Sequence, residues 1–179
     1  GDALQTLAYE TLASANWTDE VKISVLKILL AATGSKGMCG GQQLDMDAGG
    51  RTLTLDDLQR VHALKPGALI KAAILIPAAI AGTDSDDTEV LKAFADDLGL
   101  AFQIRDDILD VEASTEQLGK SAGKDAAQSK STYPALLGLD GAKNLLTQLA
   151  ERMAARLRRF DDRADRLREL AEFAVNRRN

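Results

Sequence analysis

Residues 99–110 read Gly99-Leu100-Ala101-Phe102-Gln103-Ile104-Arg105-Asp106-Asp107-Ile108-Leu109-Asp110. Wound as a helix of 3.6 residues per turn, Phe94, Leu98, Ala101, Ile104, Ile108 and Val111 fall on one apolar stripe. Gly99, Gln103, Asp106 and Asp110 fall on another, with Asp107 one turn beyond Gln103 and beside that line. The spacing predicts a helix from about Asp87 to Val111 with a core face and a carboxylate face, Gly99 leaving space above the carboxylates. No stretch of the chain shows the strict alternation of a strand, so the expected fold is all-α.

The flanking sequence reads the same way. Leu4, Leu7, Ala8 and Leu12 keep helical spacing, so the chain opens on a helix. A second helix, capped by Thr18 or Asp19, carries Val21, Val25, Ile28 and Leu29 and ends at Gly34. Residues 33–50 are glycine-rich, and two glycine-flanked pieces bracket Gln42-Gln43-Leu44-Asp45. Thr54 opens a capping signature for a helix through Leu58, Val61 and Leu64 to Ile80, kinked near His62–Lys65 because Pro66 lacks an N–H and crowds the carbonyl four residues back. Residues 113–132 lack apolar periodicity and read as a loop. Pro134 starts another helix, and Ala142–Arg159 and Ala164–Arg177 complete the set.

Composition narrows the function. The 179 residues amount to about one domain. Only 4% are aromatic and three are proline, which suits long helices better than a β-sandwich. The net charge of −5 argues against a generic nucleic-acid binder. From residue 151 onward nine arginines meet six acids, or +3, which leaves −8 for residues 1–150 and suggests a site that attracts cations. The single cysteine, Cys39, excludes an intrachain disulfide, fits a reducing compartment and is expected to be a small packed residue. The apolar stretch Ala72–Gly82 is too short to span a bilayer.

Three carboxylates on one helix face repel one another, and a hard cation would relieve the repulsion. Mg²⁺ takes oxygen ligands, commonly one or two carboxylates together with substrate phosphate. A solvated acidic face fits the bare D-D-x-x-D pattern as well. The pattern recurs at Asp161-Asp162-Arg163-Ala164-Asp165, where Arg158, Arg159, Arg163 and Arg166 mark an arginine-paired surface turn. After Asp110, Gly119-Lys120-Ser121-Ala122-Gly123-Lys124 and then Lys130 place lysines where a diphosphate could bridge metal and ammonium; a solvated loop is the alternative, preferred for Lys124. Lys65, at the expected kink, can project a cation into a cavity. His62 reads as structural.

Taken in order, Gly40-Gly41-Gln42-Gln43-Leu44-Asp45, Lys65 before Gly67-Ala68-Leu69, Phe102-Gln103 with Asp106–Asp110, Leu118-Gly119-Lys120, and Lys130 before Thr132-Tyr133-Pro134 resemble the trans-isoprenyl diphosphate synthases, most closely the bacterial farnesyl diphosphate synthases. The resemblance runs over residues 1–179, as the C-terminal portion of a single polyprenyl synthase domain with N-terminal helices missing. It implies an isoprenoid-synthase-type helical bundle around a central cavity, cytoplasmic and homodimeric. The implied reaction is Mg²⁺-dependent: an allylic diphosphate (dimethylallyl or geranyl) ionises, isopentenyl diphosphate attacks the allylic cation, a proton is lost, and farnesyl diphosphate results. No nucleic acid and no membrane span are implied.

Carried over by position, Asp106, Asp107 and Asp110 match the family's second aspartate-rich motif and its metal, with Asp106 the strongest ligand. Gln103, Lys65 and Lys120 match contacts to the allylic diphosphate or its metals. Gln42 and Asp45 match residues near the first metal cluster, and Lys130 a lysine near the second. Pro66 stands where the family usually has Thr, which removes a hydroxyl and a backbone donor. The first aspartate-rich motif and the residues for isopentenyl diphosphate are absent from the sequence. The expectation is therefore a chain inactive alone, completed by a partner or by its own cleaved N-terminal segment, with Leu4, Leu7, Leu12, Val25 and Leu29 losing part of their packing. A non-catalytic helical subunit paired with a complete synthase is the alternative. A terpene cyclase fits less well, because Asn144 to Glu151 has the wrong spacing for its metal motif.

Overall fold

The computed structural model describes residues 1–49, 51–118 and 131–178. Among them the regular elements are all helical: α1 (Asp2–Ala13), α2 (Asp19–Thr33), α3 (Met38–Asp47), α4 (Leu55–Leu64), α5 (Gly67–Ile80), α6 (Ser85–Leu118), α7 (Tyr133–Leu157) and α8 (Asp165–Asn176). A 3₁₀ turn, Asp162–Ala164, precedes α8. No single helix among the described residues is long and apolar enough to cross a membrane.

The α6 helix is the spine, and α4, α5, α7 and α8 pack against it. The expected stripe is its buried face: Phe94, Leu98, Ala101, Ile104 and Ile108 are all in the core. From α7 they meet Ala142, Leu146, Leu149, Met153 and Leu157, with Leu58, Ala171 and Ala174 closing the cluster. Asp97, buried on the same helix, takes charged hydrogen bonds from Arg152 and from Arg156 on α7, the latter at 2.8 Å.

Local signals set the helix ends. Thr54 Oγ1 accepts from the Asp57 N–H at 3.2 Å and donates to the Asp57 carboxylate at 2.8 Å. The Thr18 side chain caps α2 and that of Thr132 caps α7. Within α7, Gly138 adopts φ 74°, a left-handed break favouring glycine, so the helix at Pro134 and the one after Ala142 are two segments across a kink.

Five expectations need correction. The helix read to Val111 continues to Leu118, because residues 112–118 contain neither proline nor glycine to stop it. The kinked helix 55–80 is two helices at 45°, with the break at Lys65-Pro66 just beyond the expected position. Gly99 does not leave space above the carboxylates: it faces α5, where a Cβ would lie 3.1 Å from the Gly67 Cα, so the two glycines let α5 and α6 touch. Cys39 is exposed rather than packed. At the opening helices, Leu4 (72% exposed) and Leu7 (53%) stand in solvent, whereas Val25, expected to lose part of its packing, is fully buried.

Candidate active site

A cavity of about 980 Å³ lies between α3, the α4–α5 corner, the middle of α6 and the start of α7. The glycine-rich stretch is itself helical there. Gly41 is the reason α3 can lie where it does: a Cβ on it would sit 2.4 Å from the Lys65 backbone nitrogen. That contact sets Gln42 and Asp45 on one wall of the cavity. Lys65, at the end of α4, reaches across, its Nζ 2.7 Å from Asp45 Oδ2. Half-exposed, the pair keeps a cation and a carboxylate at the mouth.

The opposite wall is α6, which contributes Gln103, Asp106, Asp107 and Asp110. Asp106 Oδ1 receives a charged hydrogen bond from the guanidinium of Arg177, whose side chain is 11% exposed. That guanidinium also lies 4.0 Å over the Phe102 ring and donates to the Phe102 carbonyl at 3.2 Å. Arg105 Nε holds the Arg177 carbonyl at 2.8 Å. The other oxygen of Asp106 lies 3.4 Å from Gln103 Nε2, a long hydrogen bond. Asp107 Oδ2 accepts from the backbone N–H of Tyr133 at 2.9 Å. Tyr133 is wholly buried, 5.5 Å ring to ring from His62. Burial, and then the Asp107 charge, push its hydroxyl far above the ordinary tyrosine range.

The structure thus brings together Gln42, Asp45, Lys65, Gln103, Asp106, Asp107 and Asp110. Lys120, Lys124 and Lys130 lie outside the described residues. The second D-D-x-x-D is an exposed, arginine-paired turn, but of the expected arginines it is Arg163 that pairs with Asp161, at 2.9 Å; Arg159 pairs with Asp87 and Arg166 with Glu169, while Asp165 takes Arg168. Sequence reasoning missed Arg177, for which the only signal was the arginine excess of the tail. His62 is half-buried against Tyr133, in keeping with a structural part, and also lines the cavity.

The donor set on α6 is hard oxygen, which suits Mg²⁺. Among the described residues no three His, Cys, Asp or Glu side chains cluster tightly enough to hold a cation by themselves. Carboxylates in this arrangement fit a metal that shares its shell with phosphate oxygens.

Comparison with known proteins identifies the family. The polyprenyl synthetase family matches residues 1–170, and the chain belongs to that family. It is 44% identical over 180 residues to the farnesyl diphosphate synthase of Escherichia coli (strain K12), covering 98% of this chain and 57% of that protein. An FPP/GFPP synthase from Zymomonas mobilis superposes with a TM-score of 0.84 at 34% identity, over 97% of this chain and 59% of the other. The geranyltransferase of Helicobacter pylori complexed with magnesium and isoprenyl diphosphate gives 0.73 at 31%, over 98% and 56%. The all-α isoprenoid-synthase fold and prenyltransferase kinship are therefore established. The chain spans a little over half the length of these relatives.

Proposed function

We propose that this chain carries a Mg²⁺-dependent diphosphate site of a short-chain prenyltransferase that condenses dimethylallyl or geranyl diphosphate with isopentenyl diphosphate to give farnesyl diphosphate. The observation that carries the reading is the convergence of Gln42, Asp45 and Lys65 from one wall and Gln103, Asp106 and Asp110 from the other on a single cavity, in a polyprenyl synthetase chain. The farnesyl product rests on the 44% identity to a farnesyl diphosphate synthase.

In this reading Asp106 and Asp110 hold Mg²⁺ jointly with the allylic diphosphate. When bound, the metal supplies positive charge that makes the diphosphate a better leaving group. Lys65 donates to a diphosphate oxygen, exchanging its Asp45 partner for the incoming anion, and Gln42 and Gln103 donate amide hydrogens nearby. Lys120 and Lys130 join them as further diphosphate contacts. Leu53, Leu58 and Val61 line the apolar part of the cavity and keep water from the allylic cation. The isopentenyl double bond then attacks that cation, forming the new C–C bond, and a proton leaves. The proposed assembly is a homodimer, to be checked by sedimentation.

Titration calorimetry tests the site. Mg²⁺ should bind weakly alone and more tightly with pyrophosphate or a bisphosphonate, because the carboxylates supply only part of its shell. Equal Mg²⁺ affinity with and without diphosphate would sink the reading.

A further inference from the structure

Asp107 differs from its neighbours in what its carboxylate already holds. Tyr133 is the first residue of α7, and its N–H is one of the donors that a helix leaves without an internal partner. Asp107 Oδ2 takes that N–H at 2.9 Å, across 26 residues of sequence. Two further bonds fix the same corner. The Thr132 hydroxyl accepts from the Ala135 N–H at 3.3 Å, and the Ser131 hydroxyl accepts from the Leu53 N–H at 2.7 Å, ahead of α4. Ser131 and Thr132 both line the cavity. Tyr133 plugs the core behind them against His62.

We propose that Asp107 is a positioning residue and not a metal ligand: it caps the N-terminus of α7 from α6 and so fixes the Ser131-Thr132 wall of the cavity against the carboxylate face. Asp107 Oδ2 is committed to a backbone N–H at the positive end of a helix, so a cation drawing on that oxygen would break the cap, whereas Asp106 is held by the side chains of Arg177 and Gln103 and caps nothing. The D-D-x-x-D stretch divides accordingly, its first and last acids serving the ligand and its second the scaffold. This assignment rests on the diphosphate reading of the cavity, but the clamp is measurable without it.

The experiment compares Asp107→Asn, Asp107→Ala and Asp106→Asn by hydrogen exchange at the Tyr133 and Ala135 amides and by calorimetry of Mg²⁺ with pyrophosphate. An asparagine carbonyl can still accept the Tyr133 N–H. Asp107→Asn should therefore keep Tyr133 protected and hold Mg²⁺–pyrophosphate affinity within a few-fold of the parent. Asp107→Ala should cut Tyr133 protection by about ten- to a hundredfold, the range carried by a hydrogen bond to a charged group, and weaken pyrophosphate binding with it. Asp106→Asn should weaken Mg²⁺–pyrophosphate binding and leave Tyr133 exchange unchanged. If Asp107→Asn loses as much affinity as Asp106→Asn, Asp107 is a ligand and the proposal falls. Unchanged Tyr133 exchange in Asp107→Ala overturns it too, and where that variant does not fold, Asp107→Asn decides alone. Should Asp106→Asn bind as the parent does, the diphosphate reading fails while the exchange data still judge the clamp.

Discussion

Gly41→Ala probes how closely α3 must lie against the α4–α5 corner. The added Cβ would lie 2.4 Å from the Lys65 nitrogen and 2.8 Å from the Lys65 Cα, about 1 Å short of the 3.4 Å at which ordinary contact begins. Backbone cannot swing aside as a side-chain tip can, so α3 must withdraw by a distance of that order. Overpacking of this kind costs about 1–3 kcal/mol. For a chain of this size that is a fall in Tm of roughly 2–12 °C. The withdrawal also carries Asp45 and Gln42 away from Lys65, opening the 2.7 Å contact. Misplacement by about 1 Å can lower a site's performance on the order of a hundredfold. Titration calorimetry of Mg²⁺ with pyrophosphate, beside a thermal melt, measures both effects. Gly82→Ala is the control. Gly82 has φ +66° and nothing within 4 Å of a Cβ, so strain should lower its Tm by a few degrees without touching binding. The reasoning is refuted if Gly41→Ala binds as the parent does and melts no lower than Gly82→Ala.

Arg177→Gln should weaken Mg²⁺–pyrophosphate binding by roughly 10- to 100-fold, since partners that orient a ligating carboxylate act on this scale, and unchanged calorimetry would show that Asp106 needs no such support. Removing Arg152 and Arg156 together strands the Asp97 carboxylate, 4% exposed, and should cost about 3–5 kcal/mol in denaturant melts. Asp97→Asn leaves two arginines partly in solvent and should cost less; the reverse order would contradict the burial argument. In an assay where the protein turns over allylic and isopentenyl diphosphates, Asp106→Ala should lower kcat by at least about 10²-fold. Asp161→Ala should leave it nearly unchanged, and comparable losses would mean the wrong motif was chosen.

The spine of the fold was legible because α6 obeys one period over its whole buried face, and Phe94, Leu98, Ala101, Ile104 and Ile108 could be assigned to it before any packing was known. Lys65 was legible through Pro66, which marks a break and so a place where a side chain leaves the helical surface. The α3 helix was hidden for a physical reason: glycine is a poor helix former, and its presence here reflects the space between α3 and Lys65, a tertiary quantity. Arg177 was hidden because nothing local ties it to Asp106, 71 positions earlier. Spacing placed Asp107 beside Asp106 but could not show that its oxygen faces the first amide of α7.

The buried stripe and the carboxylates share one uninterrupted helix, which has a consequence for length variation. Substitutions along α6 act locally, but inserting or deleting a single residue between Leu98 and Ile104 would rotate everything downstream by about 100° relative to what lies upstream. With Phe94 and Leu98 still seated, Ile104 and Ile108 would leave the core as Asp106 and Asp110 left the cavity wall. Length changes in this lineage should therefore collect in the connections between helices, and this stretch should keep a fixed residue count however far its side chains diverge.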